Sequence, residues 1–256
     1  DDDALFGYVV GPQSWKKFLF PPLSTLLTAD RDGDGWVMRA AEDNPPRYAL
    51  LGVRACELAA IAIQDRVFLQ SGYVDPVYAA RRERLFLIAV NCTQAAPTCF
   101  CTSMDTGPRC RSGFDLALTE LPPEADSPGR NGSPGFTVEI GSDTGRERME
   151  RLSLPAATPA ESLLATEARE RAVTQITRHL QTDNLRELLL SNLEHPRWQE
   201  TAQRCLSCTN CTLVCPTCFC SSVQEVSDLT GEHVERQRQW DSCFNPDFSY
   251  VHGGLI

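Results

Sequence analysis

The sequence lacks several features by which common classes of protein are recognised. No apolar segment approaches the roughly 20 residues that a membrane-spanning helix needs, and no apolar stretch typical of a secretory signal is present. There is no Gly-x-Gly-x-x-Gly motif after a predicted strand and no P-loop, so nucleotide binding by this chain is not supported. No serine, histidine and aspartate arrangement suggests a catalytic triad. We therefore expect no catalytic residue in this chain.

Positive charge and histidine are also scarce. The 24 lysines and arginines are outnumbered by 34 aspartates and glutamates, and the formal net charge is −10. This balance argues against a nucleic-acid partner, because the phosphate backbone favours a basic surface. None of the four histidines has another histidine or a cysteine three or four residues away, so surface or capping roles are predicted. The acidic segment 30–35 lacks the glutamate that ends a calcium-binding loop, and its aspartates and glycines predict a hairpin turn.

Cysteine, in contrast, is abundant and clustered. Twelve cysteines are present; without a secretory signal, clusters of this kind are more typical of metal sites than of disulfides. The C-terminal cysteine motif reads Cys205-Leu-Ser-Cys208-Thr-Asn-Cys211-Thr-Leu-Val-Cys215-Pro216. This spacing is that of bacterial [4Fe-4S] ferredoxins, whereas zinc ligands usually form two separated pairs. Hydroxyl side chains at 207, 209, 212 and 217 could donate hydrogen bonds to cluster sulfurs.

The first half of the chain has the pattern of a parallel α/β fold. Continuous apolar segments at 48–53 and 85–90 predict buried strands, and helices are predicted between them at 57–69 and 77–84. A strand, helix, strand succession of this length predicts that the two strands are parallel. Further strands are predicted at 114–118 and 136–140, with a loop at 122–135.

From residue 159 the pattern becomes helical. Apolar residues at 164, 168, 172, 176 and 180 mark one helical face, and residues 185, 188, 189 and 193 mark another. A third short helix is predicted at 195–203. The predicted fold is therefore an α/β domain with a partly parallel sheet at 1–157, followed by an α-helical domain at 158–256 that contains the C-terminal cysteine motif.

A second group of cysteines is predicted at one edge of the sheet. Cys56 and Cys92 follow the two parallel strands, and parallel strands end at the same edge, where open α/β sheets place ligands. Cys99 and Cys101 lie two residues apart in the loop that leaves the second strand, so both can face one side. We predict that these four strand-end cysteines bind one [4Fe-4S] cluster, with Cys110 as a spare or an alternate fourth ligand. The alternative is that some are small buried hydrophobic residues.

A short internal similarity extends the candidate ligands. The segment Thr98-Cys-Phe-Cys-Thr-Ser103 resembles Thr217-Cys-Phe-Cys-Ser-Ser222. Cys218 and Cys220 are therefore secondary candidates, and Cys243 could join them. The second half then has seven cysteines, which do not divide into whole clusters of four ligands.

Many motifs match one known family in order. They are Gly52-Val-Arg-Ala-Cys-Glu57, Asp75-Pro-Val-Tyr-Ala-Ala-Arg-Arg82, Asn91-Cys92, Thr98-Cys-Phe-Cys-Thr-Ser-Met104, Thr106-Gly-Pro108, Gly113-Phe-Asp115, Arg204-Cys-Leu-Ser-Cys208, Val214-Cys-Pro-Thr-Cys-Phe-Cys220, Trp240-Asp-Ser-Cys243 and His252-Gly-Gly254. Together they resemble the iron–sulfur beta subunit of cytosolic nickel–iron (sulf)hydrogenases, and the related electron-transfer subunit of anaerobic sulfite reductases.

The resemblance implies an electron-transfer subunit of an oxidoreductase complex. It would relay electrons in the cytoplasm between a subunit that binds FAD and NAD(P) and the small and large subunits of a nickel–iron hydrogenase. It implies two or three [4Fe-4S] clusters, a ferredoxin-like fold for the C-terminal domain, and ligand roles for the strand-end cysteines and for Cys205, Cys208, Cys211 and Cys215.

The sequence departs from the family at both ends, and family members usually begin with more residues before Phe6 than this chain has. Family members usually carry a second cysteine motif after the His-Gly-Gly, and no second motif is present up to residue 256. The C-terminal domain would then be truncated, and the fourth ligand beside Cys205, Cys208 and Cys211 could be Cys215 or one of Cys218, Cys220 and Cys243. Two alternatives to the hydrogenase relay remain: the same relay in a sulfite reductase, and a zinc-binding scaffold without a redox role.

Overall fold

The computed structural model describes residues 4–8, 11, 14–41, 44–121 and 134–245. The chain divides into two compact units, each built from three segments. Unit one comprises residues 1–11, 47–63 and 85–195, and unit two comprises residues 12–46, 64–84 and 196–256. Residues 158–195 thus group with unit one, whereas the predicted domains were the continuous segments 1–157 and 158–256. The division at 157/158 stays a prediction.

Unit one is organised around a four-stranded sheet of order β3-β4-β5-β6. Its strands are β3 (Tyr48–Val53), β4 (Leu85–Val90), β5 (Leu116–Leu121) and β6 (Gly135–Ile140). The β3–β4 and β4–β5 pairs are parallel, and the β5–β6 pair is antiparallel. Leu87, Ala89 and Val90 of β4 are buried, as expected for an inner parallel strand that reads as a continuous apolar segment. The predicted partly parallel sheet is confirmed.

Helices accompany this sheet. They are α2 (Ala55–Phe68, which continues into unit two), α4 (Asp143–Leu152), α5 (Pro159–Gln175) and α6 (Leu185–Leu190). The α5 helix begins with a capping box between Thr158 and Glu161, which satisfies backbone N–H groups that a helix leaves unpaired. Ala168 and Ala172 are fully buried on the predicted apolar face, and α5 packs against β5 and β6.

Unit two contains a second four-stranded sheet, of order β2-β1-β8-β7, whose pairs are all antiparallel. Its strands are β1 (Leu23–Asp32), β2 (Gly35–Ala40), β7 (Ser221–Ser227) and β8 (His233–Trp240). The two-residue turn between β1 and β2 has Gly33 at a φ of +60°, a conformation that glycine adopts without steric cost. The predicted hairpin turn is confirmed, whereas β7 and β8 were missed by the prediction of an all-helical second half.

The core of unit two is aromatic. Its helices are α1 (Lys16–Leu19), α3 (Pro76–Glu83), α7 (Pro196–Ala202) and α8 (Asn210–Val214). The ring centroids of Phe20 and Phe68, and of Phe68 and Tyr78, lie 4.9 Å apart, within the range of favourable aromatic pairs. Tyr78 is fully buried and its hydroxyl donates to Asp65. No helix among the described residues is long and apolar enough to span a bilayer.

Candidate metal centres

The strand-end cysteines lie where the parallel sheet of unit one places ligands. Cys56 is the second residue of α2, directly after β3, and Cys92 follows the end of β4 by two residues. Cys101 begins a short 3-10 turn (Cys101–Met104) in the loop after β4, and Cys99 precedes it by two residues. Because β3 and β4 are adjacent and parallel, as predicted for their direction, both strand ends lie at one edge of the sheet.

The thiols of this group are close enough to influence one another. Desolvation raises the pKa of Cys56 to about 12, and the neighbouring Cys92 and Glu57 add to the rise by repelling a negative charge. Desolvation likewise raises the pKa of Cys92, and Cys101 and Cys99 add to that rise. The free thiols of Cys56 and Cys92 are therefore protonated near neutral pH, and several thiolates can coexist here only if positive charge, such as that of iron, is added.

The chemistry of the donor set fits an iron–sulfur cluster. All four side chains are thiols, the soft ligands that such clusters select. Gly107 lies against this group: a Cβ atom there would meet Cys101 Sγ at 3.1 Å and Ala55 Cβ at 3.3 Å. A side chain at 107 would thus press on a candidate ligand. The four-ligand set itself stays a prediction.

Cys110 is held beside the strand-end cysteines by a buried polar network. Its backbone N–H donates to Asn91 Oδ1 at 2.7 Å, and Asn91 Nδ2 donates to Thr119 Oγ1 at 2.9 Å. Desolvation raises the pKa of Cys110 to about 12, with Cys92 as the next cause. Cys110 is buried, which fits a small hydrophobic residue, yet its proximity to Cys92 also fits an alternate ligand.

Arg54 is a buried charged residue directly before α2. It is only 3% exposed, although arginine is almost never fully buried unless its charge is paired. Its guanidinium donates to the carbonyl oxygens of Phe6 and Tyr8 at 2.6 and 3.0 Å. It also favours the charged form of the Cys92 thiol, although desolvation outweighs this effect on the pKa. A buried cation therefore adjoins the strand-end cysteines.

The C-terminal cysteine motif begins in exposed, locally strained backbone in unit two. Cys205, Cys208 and Cys211 are exposed, and Cys211 lies on α8. Ser207 and Thr209 have φ angles of +52° and +59°, an uncommon conformation for residues other than glycine. The Ser207 N–H donates to Cys205 Sγ at 3.4 Å. The local backbone therefore turns sharply between the first three cysteines.

The segment 215–220, which we name the Cys-Phe-Cys loop, is more enclosed. Cys215, Cys218 and Cys220 are half-buried. Cys215 Sγ lies 3.2 Å from Thr217 Oγ1. Desolvation raises the pKa of Cys215, but hydrogen bonds from Thr217 and Cys218 outweigh it and lower that pKa. Thr217 is one of the four hydroxyl residues predicted to hydrogen-bond to cluster sulfurs. Its hydroxyl contacts the sulfur of Cys215.

The remaining candidates are spread more widely. Cys243 is exposed and follows β8. His233 Nδ1 lies 2.7 Å from Asp30 Oδ1, a contact across the sheet that suits its predicted non-ligand role, whereas His252 lies outside the described residues.

Among the residues with described positions, no three cysteine, histidine, aspartate or glutamate side chains gather closely enough to hold a single metal ion. All twelve cysteines are free.

Comparison with known proteins shows which proteins this chain resembles. Residues 204–256 match the model of a 4Fe-4S dicluster domain. Sulfhydrogenase 2 subunit beta of Pyrococcus furiosus is 31% identical to this chain over 247 residues, which covers 93% of this chain and 66% of that protein. The chain thus spans just under two-thirds of this relative's length. No solved structure matches the chain. The chain is thus similar over most of its own length to the beta subunit of a sulfhydrogenase, and its C-terminal residues match a 4Fe-4S dicluster domain.

Proposed function

We propose that this chain is a non-catalytic electron-transfer subunit of an oxidoreductase complex of the hydrogenase type. The observation that carries the proposal is the extent of the similarity to the sulfhydrogenase beta subunit. It covers 93% of the chain, and therefore spans both the strand-end cysteines and most of the C-terminal cysteine motif. An electron relay requires redox centres and does not require a substrate pocket. The clustered cysteines of this chain are residues that can hold such centres.

The proposed ligands form two sets. Cys56, Cys92, Cys99 and Cys101 would hold one [4Fe-4S] cluster in unit one. Cys205, Cys208, Cys211 and Cys215 would hold another in unit two, with Cys218, Cys220 and Cys243 as the alternatives for its fourth ligand or as ligands of a third cluster. A bound cluster would accept and release single electrons, with a reduction potential set by local charge, hydrogen bonds to sulfur and solvent exposure.

The protein's own contribution is to set those local conditions. In unit one, the buried Arg54 adds positive charge beside Cys92, which favours the reduced and more negative state of a cluster. In unit two, Thr217 places a hydroxyl beside Cys215, and hydrogen bonds to sulfur act in the same direction. Each cysteine set thus adjoins groups that suit an electron carrier.

The partners follow from the same proposal. A subunit that binds FAD and NAD(P) would stand on one side of the relay, and the small and large subunits of a nickel–iron hydrogenase on the other, in the cytoplasm. A cytoplasmic location suits twelve free cysteines, since reducing conditions keep thiols available for metal.

Purification of the native complex tests the partners. The full chain, tagged and isolated without oxygen from its own cells, is expected to copurify with flavin and with a nickel-containing subunit. Cofactor analysis and mass spectrometry of the complex make the measurement. A sirohaem-containing partner in place of nickel would assign the chain to sulfite reduction instead. Isolation of the chain with neither partner would contradict the proposed complex.

A further inference from the structure

Lys16 is a buried cation in unit two. The residue is only 3% exposed, although lysine is almost never fully buried unless its charge is paired. Its ammonium lies 3.5 Å from the carbonyl oxygens of Thr212 and Leu213 and 3.3 Å from that of Cys215. These carbonyls belong to the C-terminal end of α8 and the start of the Cys-Phe-Cys loop. The side chain therefore points its charge at the backbone that carries Cys215.

The surroundings of Lys16 compensate its charge only weakly. The carbonyl end of a helix attracts a cation, and the Trp240 ring centroid lies 4.2 Å from Nζ, within the range of a cation–π contact. Across the described part of the chain, however, no carboxylate forms a salt bridge with Lys16. Burying an ammonium without an anionic partner is costly. An anion is therefore expected close by.

The groups in reach that can become anionic are thiols. Burial lowers the pKa of Lys16, and Cys218, Cys215 and Cys220 are the groups that act against this shift. A cysteine that binds a metal does so as the thiolate. The thiolates that bind a metal in this loop would therefore supply the anionic partner that the Lys16 ammonium lacks.

A second buried side chain fixes the same loop. Gln64 is fully buried, and its Nε2 donates to the carbonyl oxygens of Pro216 and Cys218 at 3.1 and 3.4 Å. Its Oε1 has no hydrogen-bond partner, so the amide is oriented by these donations. Lys16 thus contacts the carbonyl oxygen of Cys215, before Pro216, and Gln64 contacts that of Cys218, after it. Two buried side chains therefore hold this half-buried loop and keep Cys215 and Cys218 next to the ammonium.

We propose that Lys16 is the built-in counter-charge of the iron–sulfur centre to which the Cys-Phe-Cys loop contributes thiolates. This inference rests on the proposed function and goes beyond it, because it assigns a positioning and potential-setting role to a residue that is not a ligand. A fixed positive charge favours the reduced state of a cluster, whose net charge is one unit more negative. Lys16 thus raises the reduction potential of this one centre.

The test compares two lysines that are neighbours in sequence. Lys16→Met removes the buried charge and keeps an unbranched side chain, whereas Lys17→Met removes the same charge from an exposed position on α1. Both are made in the full chain, which is purified without oxygen and titrated with dithionite while electron paramagnetic resonance follows each centre. Lys16→Met is expected to lower the equilibrium constant for one-electron reduction of one centre about tenfold, or about 59 mV. Lys17→Met should leave every centre unchanged.

The other possible outcomes also test the proposed role of Lys16. Iron-loaded Lys16→Met with the same potentials as Lys17→Met would overturn the role of Lys16 while leaving the proposed relay intact. If Lys16→Met does not retain the iron of this centre, Lys16→Arg decides: retention of iron and of the potential supports the need for positive charge, and loss of iron from Lys16→Arg overturns it. A wild-type chain without iron would instead contradict the proposed function itself.

Discussion

Replacing Cys56 by serine is expected to remove about four irons from each chain, the content of one [4Fe-4S] cluster. Cys56 follows β3 directly, and its thiol lies within electrostatic reach of Cys92 and Cys101. Serine preserves the size of the side chain but offers a harder and less acidic ligand, which suits iron–sulfur clusters poorly. Iron and acid-labile sulfide per chain, measured after anaerobic purification, make the comparison with wild type.

Cys110→Ser is the matched control for Cys56→Ser. Cys110 lies in the same group and its thiol interacts with Cys92 and Cys56, but it is the spare cysteine in the proposed ligand set. Unchanged iron in Cys110→Ser, together with the loss in Cys56→Ser, supports the assignment. Full iron content in Cys56→Ser would refute the strand-end cluster, and loss of iron from both variants would make Cys110 a ligand.

Replacing Cys208 by serine is expected to remove a different set of about four irons. Cys208 is the second cysteine of the C-terminal cysteine motif and lies between Ser207 and Thr209, whose positive φ angles bend the backbone around it. Its removal leaves the strand-end cysteines of unit one untouched. The electron paramagnetic resonance signal that is lost in Cys56→Ser identifies the strand-end cluster. That signal should therefore persist in Cys208→Ser.

The double variant Cys56→Ser/Cys208→Ser gives an internal check. If the two cysteines belong to separate centres, the iron losses add, as effects at independent sites do. If each single variant loses the same irons as the double variant, the two motifs contribute to one shared centre and the two-set assignment is wrong. The same measurement on Cys215→Ser, Cys218→Ser and Cys243→Ser identifies the fourth ligand of the C-terminal cluster.

The parallel part of the fold follows directly from local sequence. The β3 and β4 segments are continuous apolar stretches of six residues, Tyr48–Val53 and Leu85–Val90, and their observed bounds equal the predicted ones. The predicted face of α5 is likewise buried at Ala168 and Ala172. The inner strand β4 and helix α5 are predictable because burial on both faces of a strand leaves a continuous apolar stretch and burial on one face of a helix leaves a periodic one. The edge strand β3 was also predicted to be buried, but Leu51 is 60% exposed.

The second sheet could not be predicted in this way. The β7 and β8 segments, SSVQEVS and HVERQRQW, are polar and lack a continuous apolar pattern. Their sheet depends on pairing of β8 with β1, in which His233 lies opposite Asp30 from the other end of the chain. Strand pairing over such separations is set by tertiary structure, and local propensity carries little information about it.

The charged residues beside the cysteines show the same limit. Arg54 and Lys16 are residue types expected at the surface, yet both are 3% exposed. Their burial depends on partners far away in the sequence, such as the carbonyls of Phe6 for Arg54 and of Cys215 for Lys16. The cysteine spacing reveals the candidate ligands, but only the three-dimensional arrangement reveals the cations that adjoin them.

Metal analysis combined with spectroscopy of the anaerobically purified full chain shows whether this protein carries electrons. We expect a brown protein with about eight irons or more and a similar amount of sulfide per chain, corresponding to two or three [4Fe-4S] clusters. Broad absorption at about 400 nm and a paramagnetic signal that appears on reduction are also expected. A colourless protein that contains zinc and remains unchanged on reduction would contradict the electron relay and favour a zinc-binding scaffold.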